Sequence, residues 1–162
     1  MDHTFTGCNN LKILDLSSFD TKNVETMNSL FENCYNLEEI NISSFDTKNV
    51  VNMGYMFNNC KKLRKIDISS SFNTENVTNM GYMFNNCESL EKMDFLTSFK
   101  TEKVTNMKYM FNGCKNLASL NLSSFSFYNV LDISYMFASC SSLVSINNNS
   151  FYNDKFENMN YI

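Results

Sequence analysis

Asn33-Cys34-Tyr35-Asn36-Leu37-Glu38-Glu39-Ile40-Asn41-Ile42-Ser43-Ser44-Phe45-Asp46-Thr47-Lys48-Asn49-Val50-Val51-Asn52-Met53-Gly54-Tyr55-Met56-Phe57 is one copy of a unit that fills the chain. Aligned on cysteine, Cys8, Cys34, Cys60, Cys87, Cys114 and Cys140 recur at steps of 26, 26, 27, 27 and 26 residues. A Phe precedes each by three residues (Phe5, Phe31, Phe57, Phe84, Phe111, Phe137), and a Leu follows each by three (Leu11, Leu37, Leu63, Leu90, Leu117, Leu143). A period of this length marks a solenoid, in which each repeat buries its apolar face only against its neighbours.

Within the unit, apolar residues alternate at Ile40 and Ile42, and at the matching places of other copies, so residues near 39 to 43 read as a short strand. One such strand per repeat at constant phase predicts a parallel ladder with about 4.8 Å per rung. Ser-Ser-Phe follows, and its aromatic residue (Phe19, Phe45, Phe72, Phe99, Phe125, Phe151) is expected to turn into the core. The third and fourth copies carry one extra residue, at Ser69–Ser71 and Leu96–Ser98, which predicts a bulge at the strand exit. Asp46-Thr47-Lys48-Asn49 has the composition of a helix cap. After it, Val50, Met53, Met56, Phe57 and Cys60 share an arc of about 120° at helical spacing, with Tyr55 on the far side.

The expected fold class is α/β: a right-handed leucine-rich-repeat-like solenoid with a parallel β-ladder on one face and short helices on the other. An all-β solenoid, with a second strand through Ser-Ser-Phe, is the competing reading. Residues 1–162 read as one solenoid domain of about six repeats of 26–27 residues, with both ends in mid-repeat. The last copy departs from the pattern at Asn148 and at Tyr152-Asn153-Asp154-Lys155.

Composition narrows the function. Charged residues make up 19% of the chain, below the usual quarter, and the net charge is −4 with no basic stripe repeated from copy to copy. This argues against nucleic acid as a partner. No apolar run reaches membrane-spanning length, so no direct membrane insertion is expected in this segment. Asn supplies about one residue in six. The six cysteines are expected to be reduced, buried and stacked, because all share one phase on an apolar arc. No Cys-x-x-Cys pair occurs and the single His, His3, is not beside a cysteine, so neither a metal nor a cofactor is expected. No nucleophile–base set or phosphate loop is apparent, so the chain does not read as an enzyme.

The string running from Phe31-Glu32-Asn33-Cys34 through Ser43-Ser44-Phe45-Asp46-Thr47-Lys48-Asn49-Val50 to Met53 resembles the BspA-like leucine-rich-repeat surface proteins, in particular their mycoplasma-type lipoprotein repeat. The resemblance covers essentially the whole chain. It implies display on a microbial cell surface and adhesion, with host or extracellular-matrix proteins as partners, or a role in antigenic variation. The secretion signal and lipid anchor of that family are not seen in this sequence, so display rests on the resemblance.

Two rows of side chains are the candidate contact surfaces. One is the strand row Asp15, Asn41, Asp67, Asp94 and Asn121, continued by Asn147. It reads either as a polar binding strip or as a solvated ladder whose Asn and Ser link the rungs. The other is Tyr55, Tyr82, Tyr109 and Tyr135, continued by Tyr161, with Ser29 and His3 at the same phase in earlier copies. Tyr offers a large contact area at low entropy cost, although the rings can equally pack on one another. The leading functional reading is a repeat-built protein-interaction or adhesion module, with self-association as a further possibility. Its alternatives are a structural spacer or antigenic stalk without a specific ligand, and an intracellular adaptor.

Overall fold

A computed structural model describes residues 1–148. Phe151, Tyr161 and the irregular copy around Tyr152 lie outside the described residues. The repeats form stacked rungs. Three-residue strands follow the Cys-x-x-Leu signature: β1 (Ile13–Asp15), β2 (Glu39–Asn41), β3 (Lys65–Asp67), β4 (Ser119–Asn121) and β5 (Ser145–Asn147). All pairings are parallel and in register, with Leu14 opposite Ile40, Ile40 opposite Ile66 and Leu120 opposite Ile146. Ile40 and Ile42 point inward while Glu39 and Asn41 point outward, as alternation requires. Counting rungs by their cysteine, β1 lies in the first and β5 in the sixth.

The core consists of columns of identical residues. Phe5, Phe31, Phe57, Phe84, Phe111 and Phe137 stack with successive centroids 5.3–5.9 Å apart and nearly parallel rings. Phe72, Phe99 and Phe125 form a second stack, at 5.9 and 6.3 Å. Phe45 is fully buried as well, whereas Phe19 in the first rung is 40% exposed. Met53, Met80 and Met107, and next to them Met56, Met83 and Met110, are fully buried.

The thiols join this core. Cys34, Cys60, Cys87 and Cys114 are buried, and Cys8 and Cys140 are half-buried. Each of the last five thiols donates to the Phe carbonyl one rung back, as Cys60 Sγ does to Phe31 O at 3.1 Å. All six cysteines are free, and these S···O distances suit thiol S–H donors. Burial pushes the Cys34 thiol up to about 11 and holds those of Cys60 and Cys87 well above their usual range.

The helical half of the expected fold is corrected by the structure. Among the described residues the only helical element is a 3-10 helix at Asp94–Ser98. Residues 53–60 form three consecutive turns, closed by Met56 N–H to Met53 O, Asn58 N–H to Tyr55 O and Cys60 N–H to Phe57 O. Tyr55 and Asn59 have φ of 59° and 61°, as the third residue of a type II turn requires. Four of the other N–H groups leave the rung: Met53, Tyr55, Phe57 and Asn59 donate to Asn79, Gly81, Met83 and Asn85 at 2.8–3.0 Å, while Gly54 N–H stays within it, on Asn52 Oδ1 at 2.9 Å. Hydrogen-bonded turns closing at i+3 bring Met53, Met56, Phe57 and Cys60 inward much as a helix does, which is why the apolar arc was correct and the backbone was not.

The physical reason is spacing. Packed helices sit about 8–10 Å apart, but paired strands advance about 4.8 Å per rung. Turns bonded rung to rung keep the strand step, whereas helices would need a wider outer step and a more curved array. A second parallel ladder runs here, through Thr26, Asn52, Asn79, Asn106 and Asp132. It lies before the turns and not at Ser-Ser-Phe.

The Asp-Thr-x-Asn motif therefore caps no helix. Its threonine is buried (Thr21, Thr47, Thr74, Thr101) and clamps the next rung. Thr74 Oγ1 donates to Lys100 O at 2.9 Å and accepts Lys100 N–H at 2.7 Å, and Thr21, Thr47 and Thr101 repeat the pattern, whereas the fifth copy has Phe127 at that place. The two extra residues also find their places. In the third rung the extra residue is Ile68, which lengthens the strand exit before the turn from Phe72 N–H to Ser69 O, the counterpart of Phe45 N–H to Ile42 O. In the fourth the strand is replaced by the 3-10 helix, so the sheet divides into β1-β2-β3 and β4-β5.

Candidate interaction surface

The strand row is occupied by its own rungs. Asp15 Oδ1 accepts Ser17 N–H at 2.9 Å, Asn41 Oδ1 accepts Ser43 N–H at 3.1 Å, and Asn121 Oδ1 accepts Ser123 N–H at 3.1 Å. These bonds shape the strand exit as Asx turns. The Ser17 N–H and hydroxyl hold the Asp15 carboxyl below its ordinary range. Asp67 pairs with Lys65 at 2.9 Å. Asp94 leaves the row, because it opens the 3-10 helix and its carbonyl accepts the Thr97 hydroxyl at 2.8 Å. The row thus does not link rungs side chain to side chain, and it is interrupted at its fourth member.

The tyrosines do come together. Tyr55, Tyr82, Tyr109 and Tyr135 stack with centroids 4.6, 4.7 and 4.5 Å apart and planes within 12°. All four are partly exposed. Because their faces are turned to one another, the strip presents ring edges to solvent. Lys108 Nζ lies 5.7 Å from the Tyr109 centroid. Burial between its neighbours raises the Tyr82 phenol above its ordinary range, and the charges of Tyr55 and Tyr109 add to this.

Each of these tyrosines has φ between 56° and 59°. A non-glycine residue in that region costs on the order of 1–2 kcal/mol. A stacked aromatic pair contributes about 0.5–1.5 kcal/mol beyond area burial. Four strained positions against three pairs leave stacking roughly balanced at best, so stacking alone does not explain the choice of Tyr over Gly or Asn.

Sequence reasoning missed the amide columns beside the rings. Asn79 Nδ2 donates to Asn52 Oδ1 at 3.1 Å, and Asn106 Nδ2 to Asn79 Oδ1 at 3.0 Å. Asn85 and Asn112 continue a second column from Asn58 at 2.7 Å per step, and Asn59 and Asn86 a third from Asn33 at 2.8 Å. The signal was present: Asn52, Asn79 and Asn106 share one phase, as do Asn58, Asn85 and Asn112. Gly54 and Gly81 complete the arrangement. A Cβ on either would sit 2.8 Å from the Nδ2 of Asn79 or Asn106.

The family model described as "Mycoplasma protein of unknown function, DUF285" matches residues 1–94 and 70–162. The chain belongs to that family. A leucine-rich repeat protein from Bacteroides ovatus ATCC 8483, known from its crystal structure, shares 25% identity with this DUF285 chain at a TM-score of 0.50. The match covers 94% of this chain and 40% of that one, so the chain spans well under half of its structural relative. No curated protein matches it. Family and neighbour together bear out the resemblance to BspA-like repeats of the mycoplasma type. Among the described residues no group of three or more His, Cys, Asp or Glu side chains could hold a metal ion, and no helix is long and apolar enough to cross a membrane.

Proposed function

We propose that this DUF285 chain is a repeat-built protein-interaction module, displayed on a microbial surface in its parent protein and used in adhesion. On this reading residues 1–162 form one continuous right-handed array, and the tyrosine strip is its contact surface. Membership of a repeat family and likeness to a leucine-rich repeat protein support an interaction role in general. The observation that carries the choice of surface is the stack of four partly exposed tyrosines at backbone positions that favour glycine. The strand row is the weaker candidate, since its Asp and Asn oxygens already serve their own turns.

The test is binding to immobilised extracellular-matrix proteins, wild type against a Tyr82→Ser, Tyr109→Ser double variant. Anchoring tyrosines carry about 2 kcal/mol or more, so affinity should drop more than about tenfold while the variant remains folded by circular dichroism. A folded double variant that binds as well as wild type excludes the strip and moves the contact to the strand row. A chain with no affinity for any such protein supports the spacer reading.

A further inference from the structure

The two faces of the stack are not equally continuous. On the turn face nothing interrupts the ladder: Asn52, Asn79, Asn106 and Asp132 bridge in sequence, and the tyrosine stack crosses the fourth rung without a gap. Backbone bonds there keep one pattern, with Tyr55 N–H to Gly81 O, Tyr82 N–H to Lys108 O and Tyr109 N–H to Ser134 O at 2.8–2.9 Å.

On the strand face the fourth rung has no strand pairing with either neighbour. Before the strand position, Ser89 N–H bonds Lys61 O at 3.1 Å and Asn116 N–H bonds Glu88 O at 3.2 Å, and after it the Thr74–Lys100 and Thr101–Ser126 clamps hold. Elsewhere the residue after each strand donates to the next rung: Leu16 to Asn41, Ile42 to Asp67 and Leu122 to Asn147, at 2.8–2.9 Å. No such bond runs from Ile68 to the fourth rung or from Phe95 to Asn121. A cleft of about 170 Å³ opens there, lined by Lys92, Met93, Asp94, Ser119 and Asn121.

The cause is a single residue. Ser124 Oγ donates to Leu96 O at 3.0 Å, as Ser44 Oγ does to Leu16 O at 3.0 Å, so Leu96 holds the place that Leu16 holds in the first rung. Phe95 is therefore the insertion. Without it, Met93-Asp94-Leu96-Thr97-Ser98-Phe99 would match Leu120-Asn121-Leu122-Ser123-Ser124-Phe125. Phe95 instead sits tilted between Phe84 and Phe99, 6.0 Å from each.

We propose that the fourth rung is a hinge: β1–β3 and β4–β5 are two rigid platforms that rock about the continuous turn-face ladder, opening and closing the strand-face cleft. Hydrogen-bonded ladders resist such bending, and only the strand face lacks them at this rung. The two sheet platforms can then adjust their relative tilt to a partner's surface.

Three pairs of nitroxide labels, each two rungs apart, test this by dipolar broadening in electron paramagnetic resonance. The background carries Cys8→Ser and Cys140→Ser, since these thiols are half-buried. The pairs are Ile13→Cys with Lys65→Cys, Lys65→Cys with Ser119→Cys, and Thr78→Cys with Leu131→Cys, all at exposed positions. The second pair spans the fourth rung on the strand face, and the third spans it on the turn face. The second should show a distance distribution at least about twofold wider than the other two, which share the label's own flexibility. Three equal widths overturn the hinge. Deleting Phe95 should narrow the second pair to the width of the first; a folded deletion variant that stays broad also overturns it. If the deletion does not fold, the three-pair comparison decides alone.

Discussion

Thr47 and Asn73 hold each other twice: Thr47 Oγ1 donates to Asn73 O at 2.7 Å and accepts Asn73 N–H at 2.6 Å. One buried hydroxyl thus satisfies both backbone groups of a residue 26 positions away. Thr47→Val keeps the shape and removes both bonds. Each orphaned buried group costs about 1–3 kcal/mol, so the variant should lose roughly 2–6 kcal/mol in urea unfolding, and Thr47→Ser much less. A Val variant as stable as wild type would mean that water replaces the hydroxyl.

The backbone at the tyrosines can be checked by a sign. In a helix, Ala is more stable than Gly by about 1 kcal/mol. At the positive φ of Tyr82 the order reverses, because Gly has no Cβ to clash. Tyr82→Gly should therefore be more stable than Tyr82→Ala by about 1 kcal/mol. Chemical denaturation of the two variants reads this difference with the lost ring common to both.

Phe84 and Phe5 test how far the stack behaves as a one-dimensional array. Phe84 is 1% exposed and lies between Phe57 at 5.6 Å and Phe111 at 5.9 Å. Phe5 is only partly buried and has one stacking partner, Phe31, at 5.5 Å. Phe84→Ala should cost about 3–5 kcal/mol and Phe5→Ala clearly less. Equal losses in thermal or urea unfolding would contradict nearest-neighbour stabilisation.

The thiol column gives the protein an alkaline limit. Burial raises the folded-state pKa of Cys34 to about 11 and holds those of Cys60 and Cys87 well above their ordinary range. A raised pKa means that the folded state holds the proton while the unfolded chain releases it. The stabilisation is complete below the unfolded pKa of about 8.5. It declines as pH rises from there through the folded values, by up to about 1.4 kcal/mol per pH unit for each fully buried thiol. Unfolding midpoints should be flat near neutrality and fall steeply above about pH 9. Native-state thiol titration should find Cys34, Cys60, Cys87 and Cys114 unreactive until the chain unfolds.

The repeat, the strand phase and the inward residues were legible because each rests on identity at a fixed spacing. Ile40, Phe57 and Cys60 are buried as that spacing requires. The backbone of residues 53–60 was not legible from periodicity, because turns closing at i+3 and a helix give nearly the same apolar arc. Gly54, with Asn58-Asn59 following, carried the missing information, since Asn readily adopts positive φ. The tyrosine row came together as a row, but Tyr55 is held by the ring of Tyr82 and does not stand freely on an outer face. The Asp and Asn row was visible as a pattern, while its use in turns depended on bonds two residues away that composition does not reveal.

The reach of the cross-rung bonds sets how this chain acquires its structure. Thr47 bonds 26 residues ahead, and Asn79 reaches 27 back to Asn52. Loop-closure entropy grows only slowly with length, and here each closure spans one repeat however many repeats the parent contains. Once two rungs have met, every later rung adds to an existing template at nearly constant entropic cost. Duplicating or losing a whole repeat therefore leaves the closure length unchanged, and arrays of different length should fold by the same propagating step.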